Sequence, residues 1–173
     1  YHDTEWGVPI HDDRKWFEFI LLDGFQAGLA WRTVLHKRDA FRRVFYNFDP
    51  QRVAGMPAAA IAAAMADKAI IRNRLKIQAA VDNARAFLQL QERYQTFDAF
   101  IWAFTDGQVI HNRWRTPEAV PATTKLSDQV SGALKQQGFK FVGSTICYAF
   151  LQAAGVVNDH LVDCFRHAEL TAA

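Results

Sequence analysis

The sequence has few of the features that mark secreted, membrane-spanning or nucleotide-binding proteins. It contains only two cysteines, Cys147 and Cys164, too few for a disulfide framework. No apolar run reaches the roughly 18 residues that a membrane span needs, and there is no signal-peptide pattern. Glycine-rich phosphate motifs such as GxxxxGKS/T are also missing. We therefore expect a cytoplasmic protein that makes no membrane contact.

What remains is the composition of an ordinary globular protein. The 173 residues are enough for one domain with a good core, and we expect residues 1–173 to form a single domain. The net charge of +2 is compatible with a local nucleic-acid-binding face but does not by itself indicate one. Because the first residue is Tyr1 and not methionine, we expect that residues upstream have been removed or lost.

Hydrophobic periodicity predicts helices along nearly the whole chain. Asp12, Thr96 and Ser127 are predicted N-caps, and Asp49-Pro50 is predicted to start a new helix. The predicted helices cover residues 13–29, 32–48, 57–67, 72–94, 97–104, 127–138 and about 144–154. There is no convincing alternation typical of strands, so the predicted fold class is all-α.

A short glycine-bracketed turn, GFKFVG at 138–143, separates the last two predicted helices. Gly138 can end the first helix in a left-handed conformation, and Gly143 leaves the next helix with bare backbone N–H groups that can face an anion. Lys140 projects from the turn. The pattern fits a helix-hairpin-helix, at about 127–155, that grips a DNA phosphate without reading sequence. An ordinary αα-hairpin with a glycine cap explains it equally well.

The segment NDHLVDC at 158–164 places His160 four residues before Cys164. On a helix these side chains share one face, so they are either a packed core pair or two metal ligands. A structural zinc is normally four-coordinate, and Cys147 is a poor further ligand because it lies in an apolar run. The spacing alone therefore leaves both interpretations open.

Three longer segments carry a family resemblance: YHDTEWGVP at 1–9, LLDGFQAGLAW at 21–31 and GFKFVGSTICYAFLQAAGVVNDH at 138–160. Together they resemble bacterial 3-methyladenine DNA glycosylase I, a helix-hairpin-helix family that excises alkylated adenine. FDPQRVAGM and IIRNRLKIQAAVDNARAFL extend the resemblance over most of the chain. It implies a monofunctional enzyme that hydrolyses the N-glycosidic bond of 3-methyladenine in double-stranded DNA and leaves an abasic site.

The resemblance implies a base-binding site in the first part of the chain. It places a carboxylate at Asp23 and stacking aromatics at Tyr1 and Trp31, with Trp6 nearby. Such groups suit a cationic, flipped base. From the residues alone, a solvated helix-edge aspartate and ordinary aromatic packing remain alternatives. The family usually has glutamate at position 23, and aspartate is shorter by about 1.5 Å.

The resemblance also assigns DNA-contacting residues. The loop that fills the gap left by the flipped base corresponds to Gln26, Gly28 and Leu29, while Gly138, Lys140 and Gly143 form the phosphate grip. For Gln26 and Leu29, a helix terminus and a core leucine are the alternatives.

A structural zinc that ties the two termini together is the third implication of the resemblance. Its ligands correspond to His2, His160 and Cys164, and the family's fourth ligand is a cysteine upstream of Tyr1. With that ligand missing, we expect weak zinc binding. Asn158 occupies the position where many helix-hairpin-helix glycosylases have a catalytic aspartate, and this family works without it. Asp159 is then predicted to be the N-cap of a helix that carries His160 and Cys164.

Two functions from other classes stay open on the sequence. One is a helix-hairpin-helix DNA-binding module with weak or no catalysis, and the other is a small helical interaction protein stabilised by zinc. For the glycosylase we expect a monomer whose partner is duplex DNA containing alkylated adenine.

Overall fold

The computed structural model describes residues 1–172, and within this range the fold is mostly helical. Its α-helices are α1 (Asp13–Gln26), α2 (Trp31–Leu35), α3 (Arg38–Val44), α4 (Pro50–Ala54), α5 (Ala58–Ala66), α6 (Arg74–Tyr94), α7 (Phe97–Trp102), α8 (Lys125–Gln136), α9 (Ser144–Ala153) and α10 (Phe165–Ala172). Short 3₁₀ turns lie at Tyr46–Phe48, Ala103–Thr105 and Pro117–Ala119. The prediction of a mostly helical protein is confirmed. None of these helices combines the length and the apolar character needed to cross a membrane.

One small feature departs from the all-α prediction. Strands β1 (Ile110–His111) and β2 (Val157–Asn158) pair in parallel, with Ile110 opposite Val157. Two residues per strand are too few to show an alternating pattern in the sequence. The pair fastens the long loop after α7 to the segment that follows α9.

Helix α1 forms the centre of the molecule. Every residue from Trp16 to Phe25 is buried, and the helix packs against α6, α7 and α9. A helix that is buried on all sides belongs to a core and not to a surface. Two acidic residues, Glu18 and Asp23, are consequently carried into the interior.

Side-chain caps define several helix starts. The predicted caps Asp12, Asp49 and Thr96 each accept a hydrogen bond from a backbone N–H of the first turn. The prediction for Ser127 is wrong: Thr124 is the N-cap of α8, and Ser127 is the third helical residue of the same capping box. Because a capping box places two hydroxyl residues three apart, the sequence pattern fits either as the cap.

The predicted helix over residues 32–48 is broken into α2, α3 and a 3₁₀ turn. Tyr46, Asn47 and Phe48 have positive φ values of 52° to 55°, which a continuous right-handed helix excludes. The break turns the chain so that Phe41 and Phe45 pack against Phe25, with centroid distances of 4.6 and 5.9 Å. Burial of these rings therefore overrides local helix propensity.

The segment that carries the histidine–cysteine pair is not helical. His160 and Cys164 lie in turns between β2 and α10, so the prediction that they share a helix face is wrong. Asp159 is consequently not an N-cap. Its buried carboxylate instead accepts side-chain hydrogen bonds, because the adjoining β1–β2 pair brings the residues of the long loop against it.

Helices α8 and α9 pack against each other around the predicted hairpin. Gly138 has a φ of +89°, as predicted for a residue that ends a helix in the left-handed region, and Gly143 is the N-cap of α9. Two packed helices joined by a glycine-bracketed turn thus lie where the helix-hairpin-helix was predicted, with slightly different helix bounds.

Candidate active site

A cavity of about 180 Å³ lies between the N-terminal segment, the second half of α1 and the end of α9. This volume is below the range of typical pockets for drug-sized ligands, and it suits one small flat group. Its walls are formed by Tyr1, Trp6, Asp23, Gln26, Trp31, Ala149, Gln152 and Ala153. The four side chains predicted to bind or act on the base, which come from two separate stretches of sequence, therefore meet at one site.

Asp23 is the buried acid of this cavity. Its residue is 2% exposed, and its Oδ2 has no hydrogen-bond partner among the described residues. Burial raises the pKa of the carboxyl well above its ordinary value of 3.8, because the charged form loses its hydration. A lone buried carboxyl that lines a cavity is a strong candidate for a group that meets a polar or cationic ligand.

The aromatic side chains stand close to this acid. The rings of Tyr1 and Trp31 have centroids 5.4 Å apart and are tilted by 42°. The buried Nε1 of Trp31 also lacks a hydrogen-bond partner among the described residues. Burial raises the pKa of the Tyr1 hydroxyl, and the nearby Asp23 charge raises it further. Both rings can thus present flat faces and neutral polar atoms to a planar ligand.

The N-terminal segment that carries Tyr1 is held by an ion-pair cluster. Glu5 binds Arg38 through both carboxylate oxygens, at 2.5 and 2.7 Å, and binds Lys15 at 2.6 Å. The hydrogen bond from Arg38 is the main reason why the pKa of Glu5 falls to about 2. Glu18 joins the same cations from α1. The sequence alone does not reveal this cluster, because the partners of Glu5 lie 10 and 33 positions away from it.

Backbone contacts between the N-terminal segment and the end of α9 add to this anchoring. Gly7 and Ile10 donate backbone hydrogen bonds to the carbonyls of Ala153 and Ala154. Gly155 has a φ of +73°, and a Cβ there would lie 2.3 Å from the backbone of Val8 and Pro9. Only glycine allows this approach. In the sequence, the only sign of this contact is that Gly155 directly follows the helix predicted at about 144–154.

The predicted wedge residues lie at the rim of the cavity. Gln26 ends α1, Gly28 follows with a φ of +76°, and Leu29 is 40% exposed. Lys76 of α6 holds this loop by donating from Nζ to the carbonyls of Phe25, at 2.8 Å, and Ala27, at 2.5 Å. Leu29 is therefore exposed on a held turn and is not a core leucine, and its insertion into a duplex stays a prediction. The supporting lysine was not predicted from the sequence.

The residues of the predicted phosphate grip lie at the surface, and hydrogen bonds hold the tip of their turn. Asn83 of α6 bonds both the backbone N–H and the carbonyl of Lys140, at 2.7 and 2.9 Å, which fixes the tip of the hairpin. The first turn of α9, after Gly143, has no side-chain cap. Lys140 is 57% exposed as a side chain, and its Nζ lies 2.6 Å from Asp82. The sequence did not indicate this acidic partner.

His2, His160 and Cys164 form a compact group at the other side of Trp6. Their ligand atoms lie within 4.8 Å of one another, and Cys164 Sγ is 3.7 Å from both His2 Nε2 and His160 Nδ1. The remaining ring nitrogens are occupied, since His2 Nδ1 is 2.7 Å from Asp3 and His160 Nε2 is 3.0 Å from the Trp6 carbonyl. These contacts place the free lone pair of each ring on the side of the thiol.

Asn158, at the position of the usual catalytic aspartate, does not line the cavity. It is fully buried, and its Nδ2 donates to the backbone carbonyl of His167 at 3.3 Å. It therefore supports the C-terminal segment, in agreement with an enzyme that works without an acid at this position.

Comparisons with known proteins agree with this geometry. The family model described as methyladenine glycosylase matches residues 1–167. DNA-3-methyladenine glycosylase 1 of Escherichia coli K12 is 50% identical over 164 residues, covering 95% of this chain and 88% of that protein, and DNA-3-methyladenine glycosylase of Haemophilus influenzae is 47% identical over 95% and 89%. A solved structure on 3-methyladenine recognition by the Staphylococcus aureus glycosylase I superposes with a TM-score of 0.93 at 35% identity, covering 95% and 88%. With the match running through nearly every element described above, this chain belongs to the methyladenine glycosylase family.

Proposed function

We propose that this protein is a single-domain, monofunctional DNA glycosylase that hydrolyses the N-glycosidic bond of 3-methyladenine in alkylated duplex DNA and leaves an abasic site. The observation that carries the proposal is the unpaired carboxyl of Asp23 in an aromatic cavity of base size. The curated relatives at 50% and 47% identity are named for the same activity, and the S. aureus structure concerns recognition of the same base.

The chemistry follows from the charge of the alkylated nucleotide. Methylation at N3 makes the base cationic and weakens its glycosidic bond, so the enzyme needs no strong acid to protonate the leaving group. A cationic base that enters the cavity supplies the partner that Asp23 lacks, and the carboxylate is then stabilised in its charged form. The rings of Tyr1 and Trp31 can stack on the flat cation.

Asp23 also suits the transition state. As the bond breaks, positive charge moves toward the sugar, and a fixed carboxylate in a water-poor site stabilises that charge without reorganising. Water then attacks the sugar, and the free base leaves. Lys140 lies in the hairpin rather than in the cavity, so no Schiff-base chemistry is assigned to it.

We propose that DNA is held by two elements that α6 supports, one through Lys76 and the other through Asn83. The hairpin at Gly138, Lys140 and Gly143 would bind a phosphate, with Lys140 leaving Asp82 for the DNA backbone. Gln26 and Leu29, on the turn at Gly28, would fill the space of the flipped base. Lys140→Ala should weaken binding to all duplexes about equally and lower the salt dependence by about one phosphate contact.

Release of free base from alkylated DNA tests the proposed activity directly. The wild type should release 3-methyladenine, detected by chromatography, and Asp23→Asn should lose on the order of 100-fold or more in rate while keeping its helical circular dichroism. Asp39→Asn, at an exposed acid, is the matched control and should keep full activity. Duplex binding by the wild type without any base release would instead support a non-catalytic DNA-binding module.

We further propose that His2, His160 and Cys164 hold a structural zinc that joins the two ends of the chain. Zinc bonds of about 2.3 Å to sulfur and 2.0–2.1 Å to nitrogen set tetrahedral N···S separations of about 3.6 Å, and the observed 3.7 Å separations fit. When bound, zinc would cross-link the N-terminal segment to the C-terminal part of the chain. The three residues would leave one coordination position for water or a further ligand.

Thermal unfolding with added zinc tests this site. Zinc should raise the melting temperature modestly, because it binds the folded chain in preference to the unfolded one. Cys164→Ser should abolish the increase, while base excision survives under conditions where the variant stays folded. If Cys164→Ser removed excision without any effect on stability, the metal would be catalytic and the structural role would be wrong.

A further inference from the structure

Gln152 is a polar residue of the cavity wall to which the function above gives no role. It lies on α9, between Ala149 and Ala153, whose small side chains leave room in front of it. Its side-chain Nε2 donates to Asp159 Oδ2 at 2.7 Å. Gln152 thus connects the cavity to a buried acid outside it.

Asp159 is surrounded by donors. The residue is 4% exposed, and its Oδ1 accepts from Asn112 Nδ2 at 2.6 Å and from Trp114 Nε1 at 2.8 Å. Its Oδ2 accepts from the Tyr148 hydroxyl as well as from Gln152. All four neighbours donate, so both carboxylate oxygens of Asp159 act as acceptors here.

The chemistry of Asp159 therefore decides which way the Gln152 amide is turned. The Nε2 end must face the carboxylate, because the opposite orientation would set two acceptors against each other. The carbonyl oxygen, Oε1, is then the end of the amide that is free to meet a ligand in the cavity that Gln152 lines. Since the neighbouring wall residues are alanines, this oxygen is the polar group that α9 offers to a bound base.

We infer that Gln152 is a specificity-determining residue whose Oε1 accepts a hydrogen bond from the exocyclic amino group of the bound base, and that Asp159 is the positioning residue that fixes this orientation. The inference rests on the proposed function and deepens it. 3-Methyladenine carries an amino group at carbon 6, where 3-methylguanine and 3-methylhypoxanthine carry a carbonyl oxygen. Two facing acceptors repel, so the oxygen-bearing bases are disfavoured.

Substitution of Gln152 by methionine keeps the length of the side chain and removes the acceptor. Two readouts apply: the ratio of 3-methyladenine to 3-methylguanine released from the same alkylated DNA, and the ratio of dissociation constants for free 3-methyladenine and 3-methylhypoxanthine from tryptophan fluorescence quenching. Gln152→Met should lower both ratios by about tenfold, the effect of one hydrogen bond to a charged partner.

Trp114→Phe is the matched control for a merely structural role. It removes one donor from Asp159, as Gln152→Met does, but Trp114 does not line the cavity. It should leave both ratios unchanged. Asp159→Asn, which lets the Gln152 amide turn, should lower both ratios by a smaller factor than Gln152→Met.

The outcomes separate this inference from the proposed function. Unchanged ratios in Gln152→Met, or equal changes in Trp114→Phe, would overturn the role of Gln152, even in an enzyme that excises 3-methyladenine normally. Unchanged ratios in Asp159→Asn alone would overturn the positioning role of Asp159. A wild type that releases no base contradicts the proposed function, whereas a Gln152-dependent preference in the binding measurement would still support base selection by this residue.

Discussion

Glu18 and Asp23 are buried five residues apart on the same helix, yet their surroundings are opposite. Glu18 is 5% exposed, and its carboxylate binds Arg38 at 2.7 Å, Lys15 at 3.0 Å and Arg42 at 3.2 Å. Asp23 is 2% exposed, and its Oδ2 has no partner within residues 1–172. Burial opposes the charge of Glu18, but hydrogen bonds from Arg38 and Lys15 prevail and lower its pKa. At Asp23 burial acts alone and raises the pKa.

The difference separates an acid that serves the fold from one that serves a ligand. A buried carboxylate with three cations fixes the relative positions of α1, α3 and the N-terminal segment. A buried carboxyl without a cation destabilises the fold at neutral pH, and such groups are retained where a ligand provides the missing partner. The Glu18 cluster also holds the N-terminal segment, which places Tyr1 in the wall of the Asp23 cavity. The ion pairs around Glu18 therefore help to form the cavity around Asp23.

Removal of Arg38 should have the largest effect on the stability of the Glu18 site. Arg38→Met leaves buried Glu18 and half-buried Glu5 without their main cation, and we expect a loss of about 3–5 kcal/mol in the free energy of unfolding, measured by urea denaturation. Arg42→Met is the control, because Arg42 is 41% exposed as a side chain and should contribute less than about 1 kcal/mol. Equal losses in the two variants would contradict the central role given to Arg38.

The same acid-to-amide change should have opposite effects at the two acids. Glu18→Gln weakens charged hydrogen bonds and should lower the free energy of unfolding at pH 8 by roughly 1.5–3 kcal/mol. Asp23→Asn removes the cost of keeping an unpaired acid buried at this pH and should raise it by roughly 1–3 kcal/mol, although excision is lost. Paired urea titrations give the comparison. A destabilised Asp23→Asn protein would show that Asp23 has a structural partner.

The pH dependence of stability should differ in sign between the two sites. The pKa of Glu5 is about 2 and that of Glu18 is lowered, so their stabilisation is present above the unfolded value of 4.5 and is lost as the pH falls below it. The pKa of Asp23 is raised above 3.8, so stability falls as the pH rises above about 4 and stops falling once its folded pKa is passed.

Denaturation of the wild type and Asp23→Asn over a range of pH would separate these contributions. The free energy of unfolding of Asp23→Asn minus that of the wild type should increase as the pH rises from about 4. For one proton the increase is at most about 1.4 kcal/mol per pH unit. A gap that is independent of pH would mean that Asp23 titrates normally in the folded protein.

Lengthening Asp23 should have the smallest effect. Asp23→Glu keeps the carboxyl and extends it by about 1.5 Å into the cavity, and we expect excision of 3-methyladenine to be preserved or raised by less than about tenfold. Single-turnover rates on alkylated DNA measure the change. A loss as large as that of Asp23→Asn would show that the base is positioned for the shorter side chain.

Part of this site was predictable because its signals are local. An acid inside an apolar helical run is visible in the sequence, and so is a glycine that ends a helix before Lys140. The family resemblance predicted which side chains meet, namely Tyr1, Trp31 and Asp23, and the structure brings them together. The grouping of His2, His160 and Cys164 was anticipated in the same way, although on turns and not on a helix.

The helical class, most helix starts and the turn between α8 and α9 follow from local signals, since caps, glycines and apolar periodicity act over a few residues. The partners of each buried acid depend instead on how distant parts of the chain pack together. Glu18, Asp23 and Asp159 are all acidic residues in the sequence, but their surroundings differ. Glu18 is surrounded by cations, Asp23 Oδ2 has no partner within residues 1–172, and Asp159 accepts hydrogen bonds from four neutral donors. Those partners lie 3 to 47 positions away, and the charge state of a buried carboxyl depends on the groups that packing places within a few ångströms of it.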